Sequence, residues 1–143
     1  MISIQENKLD NALTLSQQLP EFENPYSIEE YNNRLNGHHL ILTAHVDNHI
    51  VGFKIGYDRF SDGSFYSWMG GVLPEFRRQG VANTLADYQE NWAKKQGYKS
   101  IKLKTRNKHE SMIVFAFERG FDIIDSESNE NIREMKIWLE KHL

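Results

Sequence analysis

The stretch Val72-Leu73-Pro74-Glu75-Phe76-Arg77-Arg78-Gln79-Gly80-Val81-Ala82 carries the residue types whose order can do chemistry. An apolar run precedes it and a helical pattern follows, so it predicts a strand, a turn and a helix start. A helix N-terminus presents backbone N–H groups with no acceptor in the helix and about half a positive charge from the dipole. Gly80 can adopt positive φ or let the backbone approach a ligand. Ala82 is small where the helix meets the sheet, and Arg77 and Arg78 add charge beside the donors. Together these suit a phosphate or pyrophosphate. Two common phosphate loops are excluded, because neither GxGxxG nor GxxxxGK[ST] occurs. The competing reading of these residues is an ordinary strand–turn–helix connection with two surface arginines.

The elements around that stretch follow from periodicity. Ile2 and Ile4 alternate with polar residues and predict a short first strand. From Glu6 to Leu19 the apolar spacing is helical, and Pro20 stops it. Ser27 followed by Glu30 is a capping box for a short helix ending near Asn36-Gly37. Leu40–Val46, Ile50–Tyr57 and Phe65–Leu73 read as strands. The turns between them lie at Asp47-Asn48-His49 and around Asp62-Gly63, which makes an antiparallel meander.

From Val81 a long amphipathic helix runs to Gly97, with Lys94 and Lys95 complementing its C-terminal dipole. Ile101, Leu103 and Thr105 alternate with lysines as a strand. Ser111 to Arg119 is a short helix ended by Gly120. Phe121–Asp125 and Ile132–Leu139 form a terminal strand pair, its acidic Asp122–Glu130 segment a solvated hairpin. The predicted order is β-α-α-β-β-β-α-β-α-β-β, a mixed α/β (α+β) domain over residues 1–143 and not a doubly wound parallel sheet.

Composition narrows the function classes. The chain has 143 residues, 17 Lys plus Arg, 20 Asp plus Glu and a net charge of -3. That balance argues against a mainly electrostatic nucleic-acid binder. There are no cysteines, which excludes a disulfide scaffold, a Cys-ligated metal and a cysteine nucleophile, and fits a reducing cytosol. No signal peptide or membrane-length apolar run is visible. The histidines lack HExxH or a neighbouring carboxylate pattern, so no metal site is expected. The reading is a cytoplasmic protein without nucleic-acid or membrane partners.

The longer pattern resembles motif A of the GNAT N-acetyltransferase superfamily, V-x-P-x-x-[R/Q]-x-x-G-x-[G/A]. Val72, Pro74, Arg77, Gly80 and Ala82 fill its defined positions. The element order resembles that fold across nearly the whole chain, with a mostly antiparallel central sheet flanked by helices. Thr105-Arg106-Asn107 and Glu118-Arg119-Gly120-Phe121 resemble the family's second cofactor segment. The resemblance implies acetyl-CoA as co-substrate, lying in a splay between the Phe65–Leu73 and Ile101–Thr105 strands. Backbone groups near Val72 and Leu73 would bond the pantetheine arm. The amides of Arg77, Arg78, Gln79, Gly80, Val81 and Ala82 would hold the pyrophosphate, and Asn107 would help from the second strand. It also implies an amine acceptor, from a small molecule or a peptide, and a homodimer is open.

Transfer from a thioester to an amine needs the amine uncharged and donors for the developing oxyanion. Strand N–H groups beside a bulge can supply those donors, and Gly70-Gly71 is the expected bulge. With no cysteine, a covalent acetyl-cysteine is excluded and transfer is direct. The chain departs from the family where a tyrosine often precedes the Gly-Phe by four residues, because Ala116 stands there. A non-catalytic acyl-CoA-binding domain is therefore the alternative. The motif A strand offers Tyr66, Ser67 and Trp68 but no carboxylate or histidine. Tyr66 is the catalytic candidate, as a water-orienting or proton-donating hydroxyl, against a purely structural place in the core. Period 2 puts Tyr66, Trp68 and Gly70 on one face and Phe65, Ser67 and Met69 on the other. His45 is a second candidate base, more simply structural, and Trp92 reads as core.

Overall fold

In a computed structural model, which describes residues 1–19 and 26–143, the chain forms a seven-stranded sheet in the order β1-β2-β3-β4-β5-β7-β6. The strands are β1 (Ser3–Glu6), β2 (His39–Val46), β3 (His49–Tyr57), β4 (Ser64–Val72), β5 (Ser100–Arg106), β6 (Asp122–Glu127) and β7 (Lys136–His142). The helices are α1 (Leu9–Ser16), α2 (Ile28–Arg34), α3 (Val81–Lys95) and α4 (Glu110–Glu118). The expected order of elements holds throughout. Pro20 and Pro25 lie outside the described residues.

The sheet is antiparallel except where β4 and β5 run parallel. Apolar residues divide between its two faces. Leu42, Phe65, Val81, Leu85, Ile101, Leu103 and Leu139 pack in a core on the α3 side. Leu15, Phe53, Ile55, Tyr57 and Tyr66 pack in a second core on the α1 side. Trp92 is partly buried against the first core, its ring centre 5.1 Å from that of Phe65.

Local signals account for most boundaries. The Ser27 side chain caps α2 by accepting the Glu30 N–H at 3.2 Å, as the capping box predicts. Gly97 and Gly120 follow α3 and α4 at φ 94° and 92°, the left-handed conformation that ends helices. Asp47 and Asn48 both have positive φ and join β2 to β3 in two residues, so His49 pairs with Val46 instead of lying in the turn.

Three further expectations change. The first helix does not begin at Glu6. Glu6 pairs with Leu42 in β1, and the Asn7 side chain accepts the Lys8 N–H and donates to Thr43, so the chain turns before Leu9. Ile132–Glu134 is a 3-10 turn and not strand, capped by Asn131, and its carbonyls accept from Asn107, Lys108 and Arg106. The β4 bulge is not at Gly70-Gly71. Gly70 and Gly71 pair regularly with Lys54 and Phe53, and the register shifts at Trp68, between the Gly56–Ser67 and Ile55–Met69 pairs.

Gly56 explains the bulge position. A Cβ there would lie 2.4 Å from Phe65 Cε2 and 2.7 Å from the Tyr66 carbonyl oxygen. Only glycine lets β4 approach β3 that closely. Beyond the bulge the alternation reverses. Met69 joins Tyr66 and Trp68 in the α1-side core, and Gly70 faces the α3 side beneath the Lys54 stem.

Candidate active site

The parallel pairing of β4 with β5 spans only Ser64–Ser67 against Ser100–Leu103. Past Ser67 and Leu103 the two strands continue as Trp68–Val72 and Lys104–Arg106 without pairing to each other. The bulge at Trp68 bends β4 at that vertex, since an extra residue turns a strand from its neighbour. The result is the expected splay, with the backbone groups of one β4 edge turned toward it.

The arginine loop continues from the end of that edge. Val72 closes β4, Pro74–Phe76 makes a 3-10 turn, and Gly80 precedes α3 at φ 87°. Arg78 also has positive φ, at 62°. The first helical bond is Thr84 N–H to the Gly80 carbonyl at 3.0 Å, so the N–H groups of Val81, Ala82 and Asn83 have no acceptor within the helix. A Cβ built on Gly80 meets nothing within 4 Å, so the space beside Gly80 at this helix start is open. Side chains brace the loop from behind. Arg77 Nε donates to the Val72 carbonyl at 3.0 Å, and Gln79 Nε2 donates to the Glu75 carbonyl at 3.1 Å. Arg77 therefore shapes the loop as well as adding charge, while Arg78 is exposed beside the helix start.

Asn107 stands just past the end of β5, across the splay. Its Nδ2 donates to the Ile132 carbonyl at 3.1 Å and its N–H to the Met135 carbonyl at 2.8 Å. These bonds fix Asn107 against the turn that enters β7.

Tyr66 sits at the vertex on the α1 side, 2% exposed. Burial raises its hydroxyl above the ordinary tyrosine value, opposed by the charge of and a hydrogen bond with Arg59. It is a neutral O–H donor near neutral pH and not a base. Trp68 lies beside it, in contact with Tyr26, Tyr31 and Tyr57. His45 lies two strands away on β2, its Nε2 2.8 Å from Thr43 Oγ1, and the structure does not bring it to the splay.

The α3 side of the vertex holds two groups that the sequence reading passed over, Lys54 and Gln89. A small cavity there is lined by Lys54, Ser67, Gln89, Ala116 and Arg119, among others. Ala116 is 1% exposed. Burial and the Arg119 charge lower the Lys54 ammonium to about 8, with Glu90 opposing. Gln89 Nε2 is buried with no hydrogen-bond partner among the described residues, so it can donate to a water or a carbonyl placed there. Arg119 clamps α4 to α3, donating to Asn83 at 2.8 Å, Asp87 at 2.7 Å and Glu90 at 2.7 Å. The available signals were a lysine inside the apolar Ile50–Tyr57 run and a glutamine on the apolar stripe of α3.

A sequence profile of the Acetyltransferase (GNAT) family matches residues 9–121. No curated protein matches the chain. Several solved structures share the fold at low identity. The ribosomal-protein-S18-alanine N-acetyltransferase from Escherichia coli aligns with a TM-score of 0.83 at 17% identity, covering 99% of this chain and 94% of that one. Ard1 from Thermoplasma volcanium aligns with a TM-score of 0.83 at 19% identity, covering 99% and 97%. Arabidopsis thaliana Naa50, in complex with the bisubstrate analogue CoA-Ac-MVNAL, aligns with a TM-score of 0.78 at 21% identity, covering 98% and 97%. With the profile spanning most of its length and the splayed sheet leading into the arginine loop, the chain belongs to the GNAT family of acetyltransferases.

Proposed function

We propose that the protein is an acetyl-CoA-dependent N-acetyltransferase that moves the acetyl group directly to a primary amine of a small molecule or peptide. The observation that carries this reading is the continuity of the splayed β4 edge with the open donors at the start of α3. The residues present fit the coenzyme. Amides from Arg78 to Ala82 hold the pyrophosphate, with Arg78 adding charge, while the Arg77 N–H donates to the Pro74 carbonyl at 3.3 Å. The Val72 backbone bonds the pantetheine arm and Asn107 supports it from β5, while Leu73 is held by its own bonds, its N–H donating to the Val51 carbonyl at 2.8 Å and its carbonyl accepting from Phe76 at 2.9 Å. The coenzyme supplies an acetyl group activated as a thioester. β4 N–H groups beside the bulge stabilise the oxyanion as the amine attacks. Tyr66 orients the acceptor or its water from the α1 side, since its raised value keeps the hydroxyl protonated. Relatives in complex with coenzyme A or acetyl-CoA support the co-substrate, and the peptide-bearing analogue on Naa50 supports an amine acceptor.

The same reading places the protein in the cytosol. Among the described residues no helix is long and apolar enough to cross a membrane. A homodimer belongs to it too, supported by the edge strand β6, where Ile123 and Ile124 are about half exposed. A non-catalytic acyl-CoA-binding role is favoured by one observation, the buried alanine at position 116.

Calorimetry with acetyl-CoA, followed by an amine panel read as released thiol, separates these readings. The expected result is acetyl-CoA binding and amine-dependent thiol release. Binding without turnover favours the sensor role, and no binding overturns both. Gly80→Val is expected to weaken coenzyme binding by about tenfold or more, because a side chain fills the open space at the helix start and φ 87° is strained for valine. Unchanged affinity would displace the cradle from Gly80.

A further inference from the structure

The vertex of the splay opens, on the side away from α3, onto a surface where cations lie on aromatic rings. Alternation along β5 and β7 sends Ile101, Leu103, Ile137 and Leu139 into the α3-side core. It sends Lys102, Lys104 and Trp138 to the opposite face. Lys104 pairs with Trp138 one step beyond the last β4–β5 pair, at the mouth of the splay. Arg59, from the loop before β4, places its guanidinium carbon 4.9 Å from the Tyr66 ring centre and 5.6 Å from that of Trp138. The Lys104 ammonium is 5.4 Å from the Trp138 ring centre.

Two other cations on this face have carboxylate partners. Arg34 is paired with Glu30 at 2.8 Å, and Lys102 with Asp62 at 2.8 Å. The Glu127 carboxylate accepts from Trp138 Nε1 at 2.8 Å. Arg59 and Lys104 have no carboxylate within ion-pair distance among the described residues. Lys104 is lowered by burial and by the charges of Arg59, Lys136 and Arg34, with Glu127 opposing. Two cations held close together with no carboxylate bonded to either, the nearby Glu127 being held by Trp138 instead, form an anion site beside the point where an acceptor amine must arrive. Aromatic faces hold the cations in place without neutralising them.

Building on the acetyltransferase reading, we propose that Arg59 and Lys104 select an acceptor amine that also carries an oxyanion, a carboxylate or a phosphate. The oxyanion docks between the two side chains over Trp138, and its amine reaches past Tyr66 toward the vertex. Polycationic amines are disfavoured by the same charges.

Matched pairs test this. 4-Aminobutyrate is compared with 4-aminobutanamide, and phosphoethanolamine with ethanolamine, by intrinsic tryptophan fluorescence in the presence of coenzyme A and by kcat/KM with acetyl-CoA. The charged member of at least one pair is expected to bind about tenfold or more tightly, with the advantage shrinking at high salt. Which pair shows the larger ratio distinguishes carboxylate from phosphate. The Arg59→Gln, Lys104→Gln double variant should abolish the ratio, a readout that general loss of activity does not move. Equal or weaker binding of both charged members, or no measurable binding by any, overturns the proposal. A charge preference in binding without turnover leaves the anion site standing and removes the acetyltransferase reading. Turnover without a charge preference does the reverse.

Discussion

Tyr66 is buried at the vertex with a hydroxyl that holds its proton, so it acts through hydrogen bonds and not as a base. Deleting that hydroxyl removes an orienting group and leaves the ring in the core. Tyr66→Phe is therefore expected to lower kcat by roughly tenfold to a hundredfold with little change in acetyl-CoA affinity, the pattern of lost proton or water positioning. Steady-state kinetics with coenzyme calorimetry checks it, and unchanged kcat would leave Tyr66 a purely structural residue. Gly56 is the other residue on which the site depends. Its missing Cβ lets Phe65 and the Tyr66 carbonyl approach β3, and the bulge forms opposite.

Between elements, the α3–α4 contact rests on polar groups as well as apolar ones. The Arg119 side chain is 11% exposed and meets Glu90, 13% exposed, which also accepts from Lys141 at 2.6 Å. Removing the arginine strands a mostly buried carboxylate with fewer donors. Breaking a buried pair by deleting one partner costs more than an exposed pair is worth. Arg119→Ala is expected to destabilise the fold by about 2 kcal/mol, read from the midpoint of denaturant unfolding. A change within about 0.5 kcal/mol would mean that α4 is held by Met112, Ile113 and Ala116 alone. The same side chain depresses Lys54, so the two positions should not be additive.

For the whole molecule, Lys54 ties stability to pH. Its amine titrates near 8 when folded and at the ordinary 10.5 when unfolded. Between those values the unfolded chain holds a proton that the folded chain has lost, so stability rises with pH across that window. Below pH 8 both states are protonated, and the cost of the enclosed charge is present in full. Lys54→Met keeps the stem and removes the charge. It is expected to stabilise the protein at pH 7 by on the order of 1 kcal/mol and to flatten the rise between pH 8 and 10.5. Thermal unfolding of both proteins across that range checks this, and parallel curves would show that Lys54 is solvated.

Much of this arrangement is legible in the sequence because it depends on neighbours along the chain. Ser27 and Glu30 cap a helix three residues apart, Gly80 opens α3 at positive φ, apolar runs between turn residues mark β2 to β4, and alternation marks β5. The motif from Val72 to Ala82 is contiguous, so its strand, turn and helix start are fixed locally. The bulge lies two to three residues before Gly70-Gly71 because its cause is Gly56, on a different strand, and no local rule connects the two. Trp138 and Lys104 meet Arg59 and Tyr66 only after β7 inserts between β5 and β6, a non-sequential placement. The sequence marks Lys54 only as a lysine inside an apolar run, and its lowered value comes from burial among α3, α4 and β4 and from the charge of Arg119, both set by the tertiary structure. The sequence by itself determined the elements, their order and the phosphate loop, since these rest on periodicity, caps and glycine conformation. Tertiary structure alone decided where β4 bends, which face Met69 and Gly70 take, and which charges surround the vertex. Those outcomes depend on distances between residues far apart in the chain.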